Sequence, residues 1–254
     1  MSCQYAVCAE PCHGWMVPKN WHLKHPFGSL APQGSLLYIM KTEAQHLQES
    51  QLLQCVEAFS RLLDIRYHLV LGRAGKSAQF SITFDKTDCH HLMGIHYLED
   101  RSDRRGRGII FDDLANSIES REYFASSSFW DAELTDRVIC TTNLETILDD
   151  NHTVFRFHHK RLQFFSKIKA EYLLDYSHEQ PYDGDIPDLY LFIDKRKDSD
   201  ERYCKSVFAK GTNRDYTEGQ ERWTVLFKEK EFLSSGNRII LYQHKTYIPP
   251  VINI

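Results

Sequence analysis

Two adjacent histidines followed by a glycine, His90-His91-Leu92-Met93-Gly94-Ile95, are the residues best placed by type and spacing to move a proton. On a helix, His91 and Gly94 share a face, with Ile95 and Leu98 one and two turns along. A glycine inside a helix costs about 1 kcal/mol relative to alanine, so its presence points to a close approach by backbone or substrate. Histidine ionises near neutrality, which suits a general base or acid. The same spacing also fits a half-buried histidine held by a carbonyl.

A second group is cationic. Arg156 and His158 share one strand face, with Phe155 and Phe157 on the other. Lys160, Arg161, Lys167 and Lys169 follow closely. Cations on a sheet backed by aromatic rings can hold a phosphate and stack a base. They can equally form an ordinary solvated face. A third group lies toward the C-terminus, where Ser206, Tyr216 and Lys228 fall at or near expected strand ends.

Three other patterns fail on spacing. Gly72–Ser77 (GRAGKS) resembles a phosphate loop, but Val70 stands where its first glycine belongs, and a strand follows instead of a helix. Asp188 and Asp194 share one run, whereas a metal-dependent nuclease core would set its acids on successive strands. His91 and His96 are five apart, which misses the i, i+4 spacing for a shared metal on one helix.

The elements that must hold these residues read as helices first and strands second. Thr42-Glu43-Ala44-Gln45 makes a capping box, and Leu52, Val56, Phe59 and Leu63 follow at helical spacing. Tyr67, Leu69 and Leu71 alternate, then Phe80, Ile82 and Phe84, giving a hairpin around Gly72–Lys76. Asp88 can cap a helix through HHLMGIHYL. Beyond the charged loop Arg101–Gly108 come a short helix near Phe111–Ser120 and another over Leu134–Leu148. Strands are expected at Thr153–His159, Phe164–Ala170, Leu189–Asp194, Arg202–Phe208 and Arg222–Lys228. This order is α+β: N-terminal helices and a small hairpin packed on a mainly antiparallel sheet of about four to five strands.

Residues 1–39 carry little periodic pattern and read as a leader or upstream extension, with a single domain over 40–254. Within the leader, Cys3, Cys8, Cys12 and His13 have poor spacing for zinc. Across 254 residues, 42% are hydrophobic and 26% charged, the balance of a globular protein. The net charge of −4 leaves any polyanion to be met by a local basic patch. Seven cysteines, those beyond the leader scattered singly, suit reduced thiols and a cytoplasmic location. No run of about 18 apolar residues exists to cross a membrane as a helix.

In their order, HHLMGI after a GRxGK turn, FSKIKAEYLL (Phe165–Leu174), KSVF (Lys205–Phe208) and YTEGQERWTVLFKEK (Tyr216–Lys230) resemble a phage-type branch of the nuclease superfamily named after barnase, EndoU, the colicin tRNases and RelE. The resemblance runs from about residue 43 to 230. It implies helices packed on an antiparallel sheet whose open face bears the site, and an RNase encoded by a phage or mobile element, acting as a toxin or effector. Its substrate would be RNA, tRNA included, and an antitoxin or immunity protein would be its counterpart. The family's histidine–glycine motif falls on His91 and Gly94, and its strand positions on Ser166-Lys167 and Ser206, with Tyr216 and Lys228 further on.

The expected chemistry needs no cofactor and no metal, because RNA carries its own 2′-hydroxyl nucleophile. His91 would take the hydroxyl proton, and Arg156 and Lys167 would steady the phosphate charge. Ser206 would bond a phosphate oxygen, and Tyr216 or His158 would protonate the leaving oxygen. Gly94 and Lys228 complete the expected substrate contacts. The alternative is an inactive member of the same fold that binds RNA or a protein.

Overall fold

The first helix, α1 (Gly34–Leu62), buries Leu52, Cys55, Val56, Phe59 and Leu62, a stripe at three- and four-residue intervals. Here as throughout, the structure is a computed structural model describing residues 34–101, 105–177, 186–211 and 214–248, with side chains from 43. Contacts divide the chain into Met1–Lys41, of which only helical backbone from Gly34 is described, and Thr42–Ile254. The leader cysteines and His13 lie outside the described residues. Because α1 already runs through Thr42, the expected capping box is not its start.

β1 (Ile65–Arg73) and β2 (Lys76–Ile82) form the expected hairpin. Its turn holds Ala74 at φ 47° and Gly75 at φ 76°, the paired positive φ of a turn whose twist matches the strands. Asp85, not Asp88, caps α2 (Lys86–Met93): its carboxylate accepts from Thr87 N, while Asp88 answers from the third position. Gly94, at φ 82°, ends α2 as its C-cap instead of lying inside it, and a 3-10 turn, Ile95–Tyr97, follows. The expected helix near Phe111–Ser120 is two, α3 (Arg107–Asn116) and α4 (Ile118–Ala125). The one expected over Leu134–Leu148 is also two, α5 (Ala132–Thr142) and α6 (Leu144–Asp149). At the break, both the backbone N–H and the side-chain Nδ2 of Asn143 donate to Ile139 O.

Six further strands follow: β3 (Thr153–Arg156), β4 (Tyr172–Tyr176), β5 (Leu189–Lys195), β6 (Arg202–Ala209), β7 (Glu221–Phe232) and β8 (Arg238–Gln243). Their order is β1-β2-β6-β5-β4-β3-β7, and β7 pairs back onto β1. The expected antiparallel sheet of four to five strands is therefore overturned: six helices accompany a closed, mixed barrel of seven strands, with β8 added to β7 among the described residues. Two features produce the difference. The hairpin supplies two staves of the barrel, β2 meeting β6 through the one parallel pairing, Ile82↔Arg202. The twelve-residue β7 is long enough to hold β1 on one edge and both β3 and β8 on the other.

The two faces of the sheet bury different clusters. Phe80 of β2 stacks on Tyr172 of β4 at 4.6 Å across two intervening strands, so that face is concave. It shares one apolar cluster with Phe59, Leu92, Leu134, Val138 and Ile147 of the helices. Alternation turns Leu173, Tyr190 and Phe192 to the other face, where they pack with Phe157 and Tyr216. Phe164, Ile168 and Ala170 cover this second cluster. Thus the segment read as a strand over Phe164–Ala170 is an irregular strap whose every second residue packs inward. No described helix is long and apolar enough to cross a membrane.

Candidate active site

Where α5, the strap and the outer face of β5–β6 meet, a cleft of about 690 Å³ opens. It is lined by Tyr190 and Phe208 of the sheet, by Phe165, Ser166, Lys167 and Ile168 of the strap, and by Tyr97 and Arg137. Lys210, Arg214 and Tyr216 close the end.

Arg137 dominates the electrostatics. It takes its place among Leu134, Val138 and Thr141 on the buried side of α5, and is itself only 5% exposed. Its guanidinium lies 5.0 Å from the ring of Tyr97 and 5.8 Å from that of Phe208. The carboxylate paired with it, Glu133, is 3.7 Å from Nε, and Nε makes no hydrogen bond. A buried cation so loosely answered retains strong attraction for an incoming anion.

His91 stands in the last turn of α2, half-buried, with its Nδ1 enclosed and unpartnered. Its ring stacks on His96 at 4.4 Å, and His96 meets Tyr97 at 4.0 Å. The break at Gly94 brings together two histidines that a continuous helix would hold apart. Burial lowers the pKa of His91, with the charges of Arg107, Arg137 and Lys205 acting in the same direction. Desolvation by the rings stacked on it, then the charges of His91 and Arg137, takes His96 down to about 4, although the residue is exposed at the surface. Both shifts favour the neutral ring, the state a general base requires.

Of the residues expected from sequence, Lys167 and Tyr216 line the cleft beside Ser166. Lys167 is exposed and makes no hydrogen bond or ion pair among the described residues. Tyr216 is buried within 5.3 Å of Tyr190, Phe192 and Phe208, centroid to centroid. Ser206, opposite Phe192 on β6, shares the outer face with Phe208 and is 9% exposed. Gly94 lies against Arg137: a Cβ there would come within 2.9 Å of Arg137 Cδ.

Six expected residues do not line the cleft: His91, Gly94 and Ser206 lie outside its lining next to residues that do, and Arg156, His158 and Lys228 lie elsewhere. Arg156 sits opposite Tyr172, hence on the concave side, 4.7 Å over that ring and 3.7 Å from Glu171. His158 follows the end of β3, its backbone N–H donating to Gln220 Oε1 at 2.7 Å. Lys228 is buried, its ammonium donating to the carbonyls of Leu148 (2.9 Å) and Asp150, and burial pushes it down to about 8. That ammonium closes the end of α6.

Sequence reading missed Arg137, Tyr97, Lys210 and Arg214. For Arg137 a signal existed: a charge at the centre of the Leu134, Val138, Thr141 stripe, where an apolar residue belongs. Lys210 pairs with Asp175 and lies 5.1 Å over Tyr190, and Arg214 lies 5.8 Å over Phe164. Neither occupies a periodic position that would announce it.

Gly94→Ala tests the contact between α2 and Arg137. The left-handed backbone alone costs an L-residue about 1–2 kcal/mol, and the new methyl must also displace Arg137. A lowered urea midpoint with unchanged m-value is expected.

The family described as phage-Barnase-EndoU-ColicinE5/D-RelE like nuclease4 matches residues 51–245. Neither a curated protein nor a solved structure matches the chain.

Proposed function

Because the chain belongs to that phage-type nuclease family, we propose that the cleft cuts RNA through the RNA's own 2′-hydroxyl. His91 takes the proton from the 2′-hydroxyl, and the resulting oxygen attacks the adjacent phosphorus. The bond to the 5′-oxygen breaks as Tyr216 returns a proton to it. Arg137, with Lys167 of the same cleft, meets the negative charge that grows on the phosphate. Arg137 takes the part first expected of Arg156, which faces the concave side. The products are a 2′,3′-cyclic phosphate and a 5′-hydroxyl, and no divalent ion is required.

The observation that carries this reading is the buried, loosely paired Arg137 in a cleft whose Tyr97 joins, through the ring of His96, the ring of His91. Exposed rings support a single-stranded substrate: Phe165, 80% exposed, and Tyr97, 52% exposed, both line the cleft, where each can stack an unpaired base. In this reading the protein is a toxin or effector of the cytoplasm, with an antitoxin or immunity protein as its counterpart.

The test is incubation with an RNA oligomer and its all-deoxy equivalent in excess EDTA. RNA is cut and DNA is not. Loss of cleavage in EDTA that magnesium restores would sink the mechanism. RNA bound but never cut would make the protein an inert binder.

A further inference from the structure

A second hollow, of about 610 Å³, lies between the first turn of α2 and the turn joining β5 to β6. Thr87 and Asp88 line it, and they precede His91 on α2 by four and three residues. Those spacings place them on the His91 side of the helix, about 5 Å along its axis. The hollow therefore opens one helical turn from His91, while Tyr97 and Arg137 of the first cleft lie on the side of Gly94.

Its charge is unevenly satisfied. Arg196 is spent internally, donating to Asp88 Oδ2 at 2.6 Å and Thr83 O at 2.8 Å while lying over the ring of Tyr203. Glu201 is likewise answered, by Arg66 at 3.0 Å. Arg107 and Lys197 are exposed and make no hydrogen bond or ion pair among the described residues. Lys195 is held by Asp200, a carboxylate 97% exposed, and so exposed a pair is worth little. Three cations thus face a hollow whose one remaining lining carboxylate is Asp198. Arg107 and Arg137 both act on the His91 charge, so His91 lies within electrostatic reach of both basins.

We infer that this hollow is a second phosphate subsite, holding the polynucleotide strand on the far side of His91 from the cleft. It rests on the nuclease reading for what happens at His91, and it adds a second point at which the strand is held. Backbone phosphates are gripped on both sides of the reacting group, so the enzyme takes an internal stretch of strand in preference to a chain end or a short fragment.

The test uses a non-cleavable 2′-O-methyl RNA 12-mer and trimer, bound to wild type and to the Lys195→Gln/Lys197→Gln double variant across a salt series. Wild type should prefer the 12-mer. In the variant that preference should shrink about tenfold, and the slope of log affinity against log salt should fall by about 1.4, two single-strand phosphate contacts. A variant with the wild-type preference and slope overturns the inference, as does a wild type that binds both lengths alike. Cleavage of unmodified RNA in EDTA is read separately: length-dependent binding without cleavage defeats the nuclease reading and leaves the subsite standing.

Discussion

Replacing Arg137 by methionine should cut the single-turnover rate of RNA cleavage by about 100- to 1,000-fold, the usual consequence of removing a preorganised donor from a developing oxyanion. Methionine keeps much of the apolar stem that packs against Tyr97 and Phe208, so the loss reports the charge more than the packing. Arg137→Lys is the sharper companion. It keeps a positive charge but loses the planar fork that grips two phosphate oxygens, and it should recover only part of the rate. The loss should fall on kcat more than on KM, because the interaction strengthens as charge develops. Circular dichroism and a urea midpoint check that each variant is folded. Arg137→Met cleaving at the wild-type rate would remove the cation from the mechanism.

His91→Ala should lose about 100- to 10,000-fold, the range for one general acid–base group. Its pH profile carries more information. The base works only while neutral, so activity falls as pH drops through the pKa of His91. That pKa is lowered, first by burial and then by Arg107, Arg137 and Lys205, so the acid limb should lie below the ordinary histidine value of about 6.5. Lys205→Met removes one of those charges and should move the limb upward. An acid limb at or above the ordinary value in wild type, or an unmoved limb in Lys205→Met, would show that a different group is titrating.

The local elements were legible wherever a period or a cap spoke for itself. The α1 stripe, the hairpin and the apolar runs of β5 and β6 all follow from spacing. Closure of the barrel was not legible. It depends on β7 pairing with β1, Leu69 against Lys228, between segments far apart in the chain and with no local mark of partnership. The strap was misread because alternate burial of Phe164, Ser166, Ile168 and Ala170 looks the same in a strand and in a loop laid on a sheet.

The site divides in the same way. His91, Lys167 and Tyr216 could be picked out by residue type, and the fold sets Lys167 and Tyr216 in one cleft with His91 behind Tyr97. Arg156 and Lys228 could not be sorted from them, because which face of a barrel is concave depends on closure. Arg137 escaped notice because a cation on the apolar side of a helix acquires meaning only once Tyr97 and Phe208 are seen beside it.

The most direct measurement is the mass of the fragments released from a defined RNA oligomer in EDTA, with wild type and His91→Ala side by side. A 2′,3′-cyclic phosphate on the upstream fragment and a 5′-hydroxyl on the downstream one, formed by wild type and lost in His91→Ala, is the predicted result. A 5′-phosphate product, or equal cleavage by both proteins, would contradict it.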